Sequence, residues 1–323
     1  MIACDLHPGY VSHALAKQFG VRVIDVQHHH AHARACLLDA GATLPALALV
    51  LDGAGWGTDG TVWGGELLRI APGSFERLAH LEQVRWPGGE AAVREPWRIA
   101  AVWLQRAFPE GAPTLPWHKR HSPQVLAYVT GAAERGIHSP ITSSSGRLFD
   151  ALASLLDLGD VATHEGELAM ALESLAAEAA DEPDSWSIPV DPVPTSSLAA
   201  ANPRPPREVP VADIVRELVL GLARGEARER LAQTFHVRLA ARWVHAITEA
   251  ARSTGLNTVA LSGGCMQNRL LATLLIRGLH ARGLEPVVHH HIPANDGGLA
   301  VGQALVAAEI LVSERSAYRR RTQ

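Results

Sequence analysis

Three cysteines, Cys4, Cys36 and Cys265, are all that occur in 323 residues. They are too few and too scattered for a disulfide framework, and with no Cys-x-x-Cys pair a cysteine-built zinc finger is excluded as well. Free thiols of this kind fit a reducing compartment. Charge of one sign is also scarce. The formal net charge is −4, and without a long basic run nothing draws nucleic acid electrostatically. The basic end, Arg319-Arg320-Arg321, reads as a solvated tail. No apolar stretch approaches the ~20 residues of a membrane span. Asp5, His7 and Lys17 stand where a signal peptide needs an apolar core. A cytoplasmic protein is therefore expected, with neither membrane nor nucleic acid as a partner. The Walker A pattern, GxxxxGK followed by Ser or Thr, is missing, which argues against a P-loop.

What is present is a 47% hydrophobic chain, long enough for one large domain or two lobes. Val21 to Val26 reads as a buried strand, and an alanine-rich helix is expected from His28 to Asp39. Leu47 to Leu51 is a second strand, followed by a turn segment from Asp52 to Gly60. Thr61 to Ile70 and Phe75 to Val84 then look like an antiparallel ribbon. Helices are expected over Ala91–Arg106, Pro123–Gly131, Arg147–Leu156 and Glu165–Ala180. A proline-rich excursion covers 181–210. Helices over Val211–Leu222 and Ala227–Ser253, strands at Asn257–Leu261 and Pro286–Val288, and a closing helix to about Leu311 complete the pattern. Strands that end in glycine turns and hand over to helices indicate an α/β protein with a mixed sheet, whose ligands sit at the carboxyl ends of the strands.

In His28-His29-His30-Ala31-His32, only His28 and His32 stand four apart. On a helix that spacing puts both imidazoles on one face, about 5–6 Å apart at Cβ, close enough to share one ion. His29 with His32 is the second choice. A solvated histidine run is the plain alternative, but this run starts where a core strand ends. Asp52 and Asp296 are the carboxylates that would complete the sphere, although each also reads as a turn former. Two histidines with carboxylate leave coordination positions open and suit zinc or ferrous iron. A second run, His289 to His291, reads as structural.

Two glycine turns are able to approach phosphate closely: Ser262-Gly263-Gly264, and Asp52-Gly53-Ala54-Gly55. Together they resemble the paired phosphate loops of the actin-like ATPase fold. Gly55, Gly57 and Gly60 spell GxGxxG, but a ribbon follows where the dinucleotide fingerprint needs a helix. Ser143-Ser144-Ser145-Gly146-Arg147-Leu148-Phe149-Asp150 admits two readings. The serines cap a helix, or Arg147 meets a carbonyl or phosphate oxygen and Asp150 a ribose hydroxyl.

VQHHHAHARA (Val26 to Ala35), DGAGWGTDGTVWGGE (Asp52 to Glu66), PGGEAAVREPWRIA (Pro87 to Ala100) and SSSGRLFDALASLL (Ser143 to Leu156) resemble the HypF family. LSGGCMQNRLL (Leu261 to Leu271), PANDGGLAVGQ (Pro293 to Gln303) and CDLHPGYVSHALA (Cys4 to Ala16) do so too. The similarity lies with the C-terminal carbamoyl-transfer domain of these carbamoyltransferases of nickel-iron hydrogenase maturation, and it runs through nearly all of 1–323. It implies an actin-like ATPase (ASKHA) fold, with two lobes of mixed sheets flanked by helices. The first lobe would span about 1–110, incomplete at its N-terminus, and the second about 111–323.

The resemblance puts metal ligands on His28, His32 and Asp296, with Asp52 as the fourth, and these four form the catalytic set. It puts nucleotide contacts around Gly146, Asp150, Gly263, Gly264 and Asn268, to which the loops above add Gly53, Gly55 and Arg147. It implies a divalent metal, iron or zinc, and ATP or carbamoyl adenylate as substrate. The carbamoyl group would pass to the C-terminal cysteine of HypE. A full-length family member or a separate adenylating protein is a further expected partner, because the family's preceding acylphosphatase, zinc-finger and adenylating modules are missing. The chain is thus expected to be a natural short form or an excised fragment. Two alternatives accompany this reading: a metal-dependent hydrolase of carbamoyl phosphate or carbamoyl adenylate, and a non-catalytic docking module for HypE.

Overall fold

A computed structural model of the chain describes residues 1–179 and 205–321. Strands β1 (Ile2–Asp5) and β2 (Val23–Val26) lie parallel, with Asp5 opposite Val26, and helix α1 (Val11–Gln18) joins them. The sequence reading found only β2 here. Four residues of β1 and two turns of α1 are too short to establish a period. Helix α2 (His28–Asp39) starts immediately after β2, within the bounds expected. The Gln27 side chain caps it, its Oε1 accepting from the His30 amide at 2.8 Å.

Strands β3 (Ala46–Trp56), β4 (Val62–Ala71) and β5 (Ser74–Leu81) form an antiparallel meander. The turn expected from Asp52 to Gly60 is corrected here: β3 continues to Trp56 across a bulge between Leu51 and Gly55. The chain reverses only at 57–60, where the Gly57 amide bonds the Thr61 carbonyl. Small residues at the bulge let the strand bend without losing its partner.

After β6 (Val84–Arg85) come α3 (Glu90–Arg94) and α4 (Trp97–Ala107), where one helix was expected. Pro96 divides them, since proline lacks the amide donor and crowds the preceding turn. Next follow α5 (Pro123–Glu134), β7 (Ile141–Thr142), α6 (Ser145–Leu155) and α7 (Glu167–Ala177). Most of the expected excursion at 181–210 lies outside the described residues. Its last part is instead strand β8 (Arg207–Val209), parallel to β5. The buried Glu82 carboxylate anchors the chain there by accepting from the Val211 and Ala212 amides, both at 2.8 Å. The remainder is α8 (Ala212–Ala223), α9 (Arg228–Thr254), β9 (Thr258–Ser262), α10 (Arg269–His280), β10 (Glu285–Val287) and α11 (Leu299–Arg321).

The main sheet is mixed and eight-stranded, in the order β10-β9-β3-β4-β5-β8, with β6 and β7 joined at its side. Strand periodicity divides its two faces. Leu47, Leu49 and Leu51 of β3 enter the large core with α4, α6 and α9, while Ala46, Ala48 and Val50 pack with Ala33, Cys36 and Leu37 of α2. Each fully buried leucine contributes roughly 1.5–3 kcal/mol. This places α2 against the second face of the sheet, over β3, β4 and β9.

Contrary to the sequence expectation, one segment is apolar and long enough to cross a membrane, Asp296–Arg319, with a mean hydropathy of 1.3. Here its α11 part packs on α2. Val306 and Ala307 are buried, and a Cβ on Gly302 would come within 1.9 Å of the Ala31 carbonyl oxygen. Only glycine allows the two helices to approach so closely.

Candidate metal centre

Helix α2 presents His28 and His32 one turn apart, ring centroids 5.0 Å from each other and both fully buried. Asp52 reaches them from the bulge of β3, its Oδ2 lying 3.2 Å from His28 Nε2 and 3.7 Å from His32 Nε2. Asp296, in the short turn that precedes α11, puts Oδ1 at 3.5 Å and 3.4 Å from the same two nitrogens. One ligand atom from each of the four residues lies within 4.8 Å of all the others. His29 is turned away toward Trp63, its Nδ1 3.2 Å from Gln27 Nε2, so the i, i+4 pair rather than the i, i+3 pair faces the carboxylates.

These residues fit a divalent ion. Asp5 Oδ2 lies 2.8 Å from His28 Nδ1, which fixes the proton there and turns the Nε2 lone pair toward Asp52 and Asp296. Both ring nitrogens of His32 are buried and make no hydrogen bond among the described residues, leaving Nε2 free to ligate. Two neutral imidazoles and two carboxylates also match a dication in charge.

The electrostatics agree. Burial alone would depress His28, but hydrogen bonds to Asp296, Asp5 and Asp52 outweigh it and hold its pKa well above normal. Burial opposes the charge on Asp52 as well, yet His28 and His32 keep it far below the ordinary carboxylate range. The closeness of His28 and then His32 does the same for Asp296. A pocket that stabilises an imidazolium this strongly favours a metal cation on the same grounds.

The glycine turns turn out to serve this cluster directly. The Gly264 amide donates to Asp52 Oδ1 at 2.9 Å, fixing the carboxylate from behind, and the Gly263 amide bonds the Ala294 carbonyl, tying this loop to the Asp296 turn. Gly263 has φ +94°, and a Cβ there would sit 2.3 Å from the Leu51 carbonyl oxygen. A Cβ on Gly55 would lie 2.7 Å from both the His28 and His29 rings, and one on Gly146 2.9 Å from the Gly53 Cα. A Cβ on Gly53 would meet only Glu165 Oε1 at 3.4 Å and Arg147 at 3.9 Å.

Arg147 and Asp150, expected to meet a ligand, are buried and paired with each other at 3.0 Å. Burial raises the Asp150 pKa, and Arg147 pulls against it. Arg147 Nε has no hydrogen-bond partner among the described residues. Asn268, expected to meet nucleotide, makes these contacts within the fold. Its Oδ1 caps α10 by accepting from the Leu271 amide at 2.8 Å, and its Nδ2 lies 3.0 Å from His236 Nε2, so the amide is committed to the fold. The second histidine run is held by Asp39, which accepts from the amides of His290, His291 and Ile292.

Sequence reasoning missed Asp5 and the buried trio Glu66, Arg77 and Ser143. Glu66 is fully buried and takes Arg77 Nε at 2.6 Å and Ser143 Oγ at 2.5 Å. The signal available was a lone acid in the apolar strand VWGGELL. For Asp5 the signal is its place in CDLHPGYVSHALA, next to Cys4.

Residues 48–303 match the family described as "Carbamoyltransferase, Kae1-like Domain, second subdomain", and residues 1–39 match "HypF Kae1-like domain". The Carbamoyltransferase HypF homolog of Cupriavidus necator is 37% identical over 322 residues, covering 95% of this chain and 77% of the relative. Carbamoyltransferase HypF of Rhodobacter capsulatus is 39% identical over 334 residues, covering 97% of this chain and 40% of the relative. A full-length HypF solved in its phosphate- and nucleotide-bound form superposes with a TM-score of 0.82 at 31% identity, over 95% of this chain and 46% of that one. HypF of T. kodakarensis gives 0.79 at 28% identity, over 97% of this chain and 40% of that one. The chain therefore spans about three quarters of one relative and two fifths to a half of the others. Its α/β fold is of their actin-like ATPase type.

Proposed function

This chain belongs to the HypF carbamoyltransferase family, and from that premise we propose that it passes a carbamoyl group from carbamoyl adenylate to the C-terminal cysteine thiolate of HypE. The reaction serves cyanide-ligand synthesis in nickel-iron hydrogenase maturation, and an iron or zinc ion is held by His28, His32, Asp52 and Asp296. The observation that carries this reading is the convergence of one ligand atom from each of those four side chains within 4.8 Å at the bulge of β3. Such an ion, when bound, supplies a Lewis acid for the carbamoyl carbonyl, worth roughly several kcal/mol at the transition state.

The chain's own residues do the rest. Asp5 holds the Nδ1 proton of His28, and the Gly264 amide holds Asp52, so the ligand set is oriented before substrate arrives. The Arg147 guanidinium stands beside Gly53 with Nε unpaired, placed to accept charge developing on a carbonyl or phosphate oxygen. The solved relative bound phosphate and nucleotide. By likeness, AMP would lie between the Gly146–Arg147–Asp150 segment and the Gly263–Gly264 turn. The partner's thiolate attacks the carbamoyl carbon and AMP leaves, so this chain needs no nucleophile of its own.

The test is to combine purified protein, carbamoyl adenylate and HypE, then read the mass of HypE. The expected product is a thiocarbamate on its terminal cysteine, lost in His28→Ala and His32→Ala. Intact carbamoyl adenylate with unlabelled HypE would sink the proposal. AMP release without label would transfer it to water as the acceptor, a reaction favoured by the exposure of the Asp296 side chain, at 68%.

A further inference from the structure

We propose that Cys4, His13 and Asp25 form a second metal site, suited to zinc, with ligands distinct from those of the His28–His32 centre. The three residues come from three elements, β1, α1 and β2. The parallel register sets Cys4 opposite Asp25, and His13 is buried against the pair. Their ligand atoms form a nearly equilateral triangle: Cys4 Sγ to His13 Nδ1 is 3.6 Å, Cys4 Sγ to Asp25 Oδ1 is 3.5 Å, and His13 Nδ1 to Asp25 Oδ1 is 3.4 Å.

Tetrahedral zinc, with Zn–S near 2.3 Å and Zn–N and Zn–O near 2.0–2.1 Å, separates S from N or O by roughly 3.5 Å and N from O by roughly 3.3 Å. All three edges agree with those separations. The two sulfur edges are also of hydrogen-bond length, but the His13–Asp25 edge at 3.4 Å is long for an imidazole–carboxylate bond, which prefers about 2.9 Å. The competing contact is from His13 Nδ1 to the Asp5 carbonyl, at 3.2 Å. A metal replaces it when the imidazole carries its proton on Nε2.

Access and charge also suit an ion. Cys4 and His13 are buried, whereas the Asp25 side chain is 46% exposed, so the fourth position opens to solvent. Burial and the neighbouring Asp25 push the Cys4 thiol up to about 11. A dication reverses that balance. The S–H bond breaks, its proton goes to solvent, and sulfur bonds the metal, with no change of oxidation state.

Metal-stripped protein titrated anaerobically with cobalt(II) tests the site without any reference to carbamoyl transfer. The expected result is a thiolate-to-cobalt charge-transfer band in the near ultraviolet. It should be lost in Cys4→Ser and kept in His32→Ala, because the other centre contains no sulfur. Cobalt bound per chain should fall from two to one in either variant. A wild type that binds cobalt with no thiolate band overturns the proposal, as does a band that survives in Cys4→Ser. Should Cys4→Ser lose its circular-dichroism signature, Asp25→Ala decides: at least a tenfold weaker titration of the band supports the site, and an unchanged one overturns it.

Discussion

His28 Nδ1 lies 2.8 Å from Asp5 Oδ2, a contact across 23 positions that joins the first strand of the chain to the histidine helix. The other oxygen of Asp5 accepts from the His7 amide at 2.8 Å, so the carboxylate is itself fixed. Asp5 does not face the ion; it acts through His28 by holding the ring and its tautomer. Asp5→Asn is therefore expected to weaken metal binding about 10–100-fold with the fold retained. A chelator competition series would measure this. Equal affinity in both proteins would mean that the backbone of α2 alone orients the ring.

Gly55 and Gly53 stand two residues apart on the same bulge and should respond differently to alanine. The added methyl on Gly55 meets the His28 and His29 rings at 2.7 Å, and neither ring is free to retreat, since Asp5 holds one and Gln27 the other. Overpacking of this kind costs about 1–3 kcal/mol, and here it should displace a ligand as well. On Gly53 the nearest atom is Glu165 Oε1 at 3.4 Å, an ordinary contact. Denaturant unfolding and metal content of the two variants check the contrast; equal losses would contradict it.

Beneath the bulge, Glu66 is fully buried and holds Arg77 at 2.6 Å, Ser143 at 2.5 Å, and the amides of Gly64 and Gly65. Burial pushes the Glu66 carboxyl up, and Arg77 pulls it back. Removing one partner of a buried pair costs up to about 3–5 kcal/mol, and here the loss should fall below that because Arg77 keeps Asp59 at 2.9 Å. Glu66→Ala should show that loss in urea unfolding. The double variant Glu66→Gln with Arg77→Met should recover most of it. A double variant as unstable as the single one would mean that the hydrogen bonds to Ser143 and the glycines, rather than the ion pair, set the energy.

How much of this was legible in the sequence depended on whether a feature was local. The i, i+4 spacing of His28 and His32, the bounds of α2 and the buried strand at Leu47 to Leu51 are written in neighbouring residues, so they were readable. The bulge at Asp52 was not, because Asp52-Gly53 looks like a turn until β4 pairs on either side of it, whereas Asp59-Gly60 is the turn itself. Asp5 was missed because its strand is four residues long and its partner lies on another element. Asn268 was assigned to a ligand through motif likeness, and its commitment to His236 is visible only once α9 and α10 are packed. Motifs named the loops, but tertiary contacts decided which atoms in them remain free.

That His236–Asn268 contact carries a pH dependence of its own. His236 Nδ1 donates to the Ala232 carbonyl at 2.8 Å, which leaves Nε2 to accept from Asn268 Nδ2 at 3.0 Å. This arrangement needs a neutral ring, and burial pulls the His236 pKa down to about 4. In the unfolded chain the same histidine titrates near ~6.5. Between those values the unfolded state binds a proton that the native state refuses, so stability falls as pH drops from about 6.5 toward 4 and is fully present above 6.5. The shift corresponds to roughly 3 kcal/mol. His236→Leu takes up no proton in either state. The stability gap between wild type and this variant should therefore narrow by about that amount on going from pH 7 to pH 4, as followed by urea unfolding. Parallel curves across the window would place the proton elsewhere and remove His236 as the acid-sensitive contact behind the α10 cap.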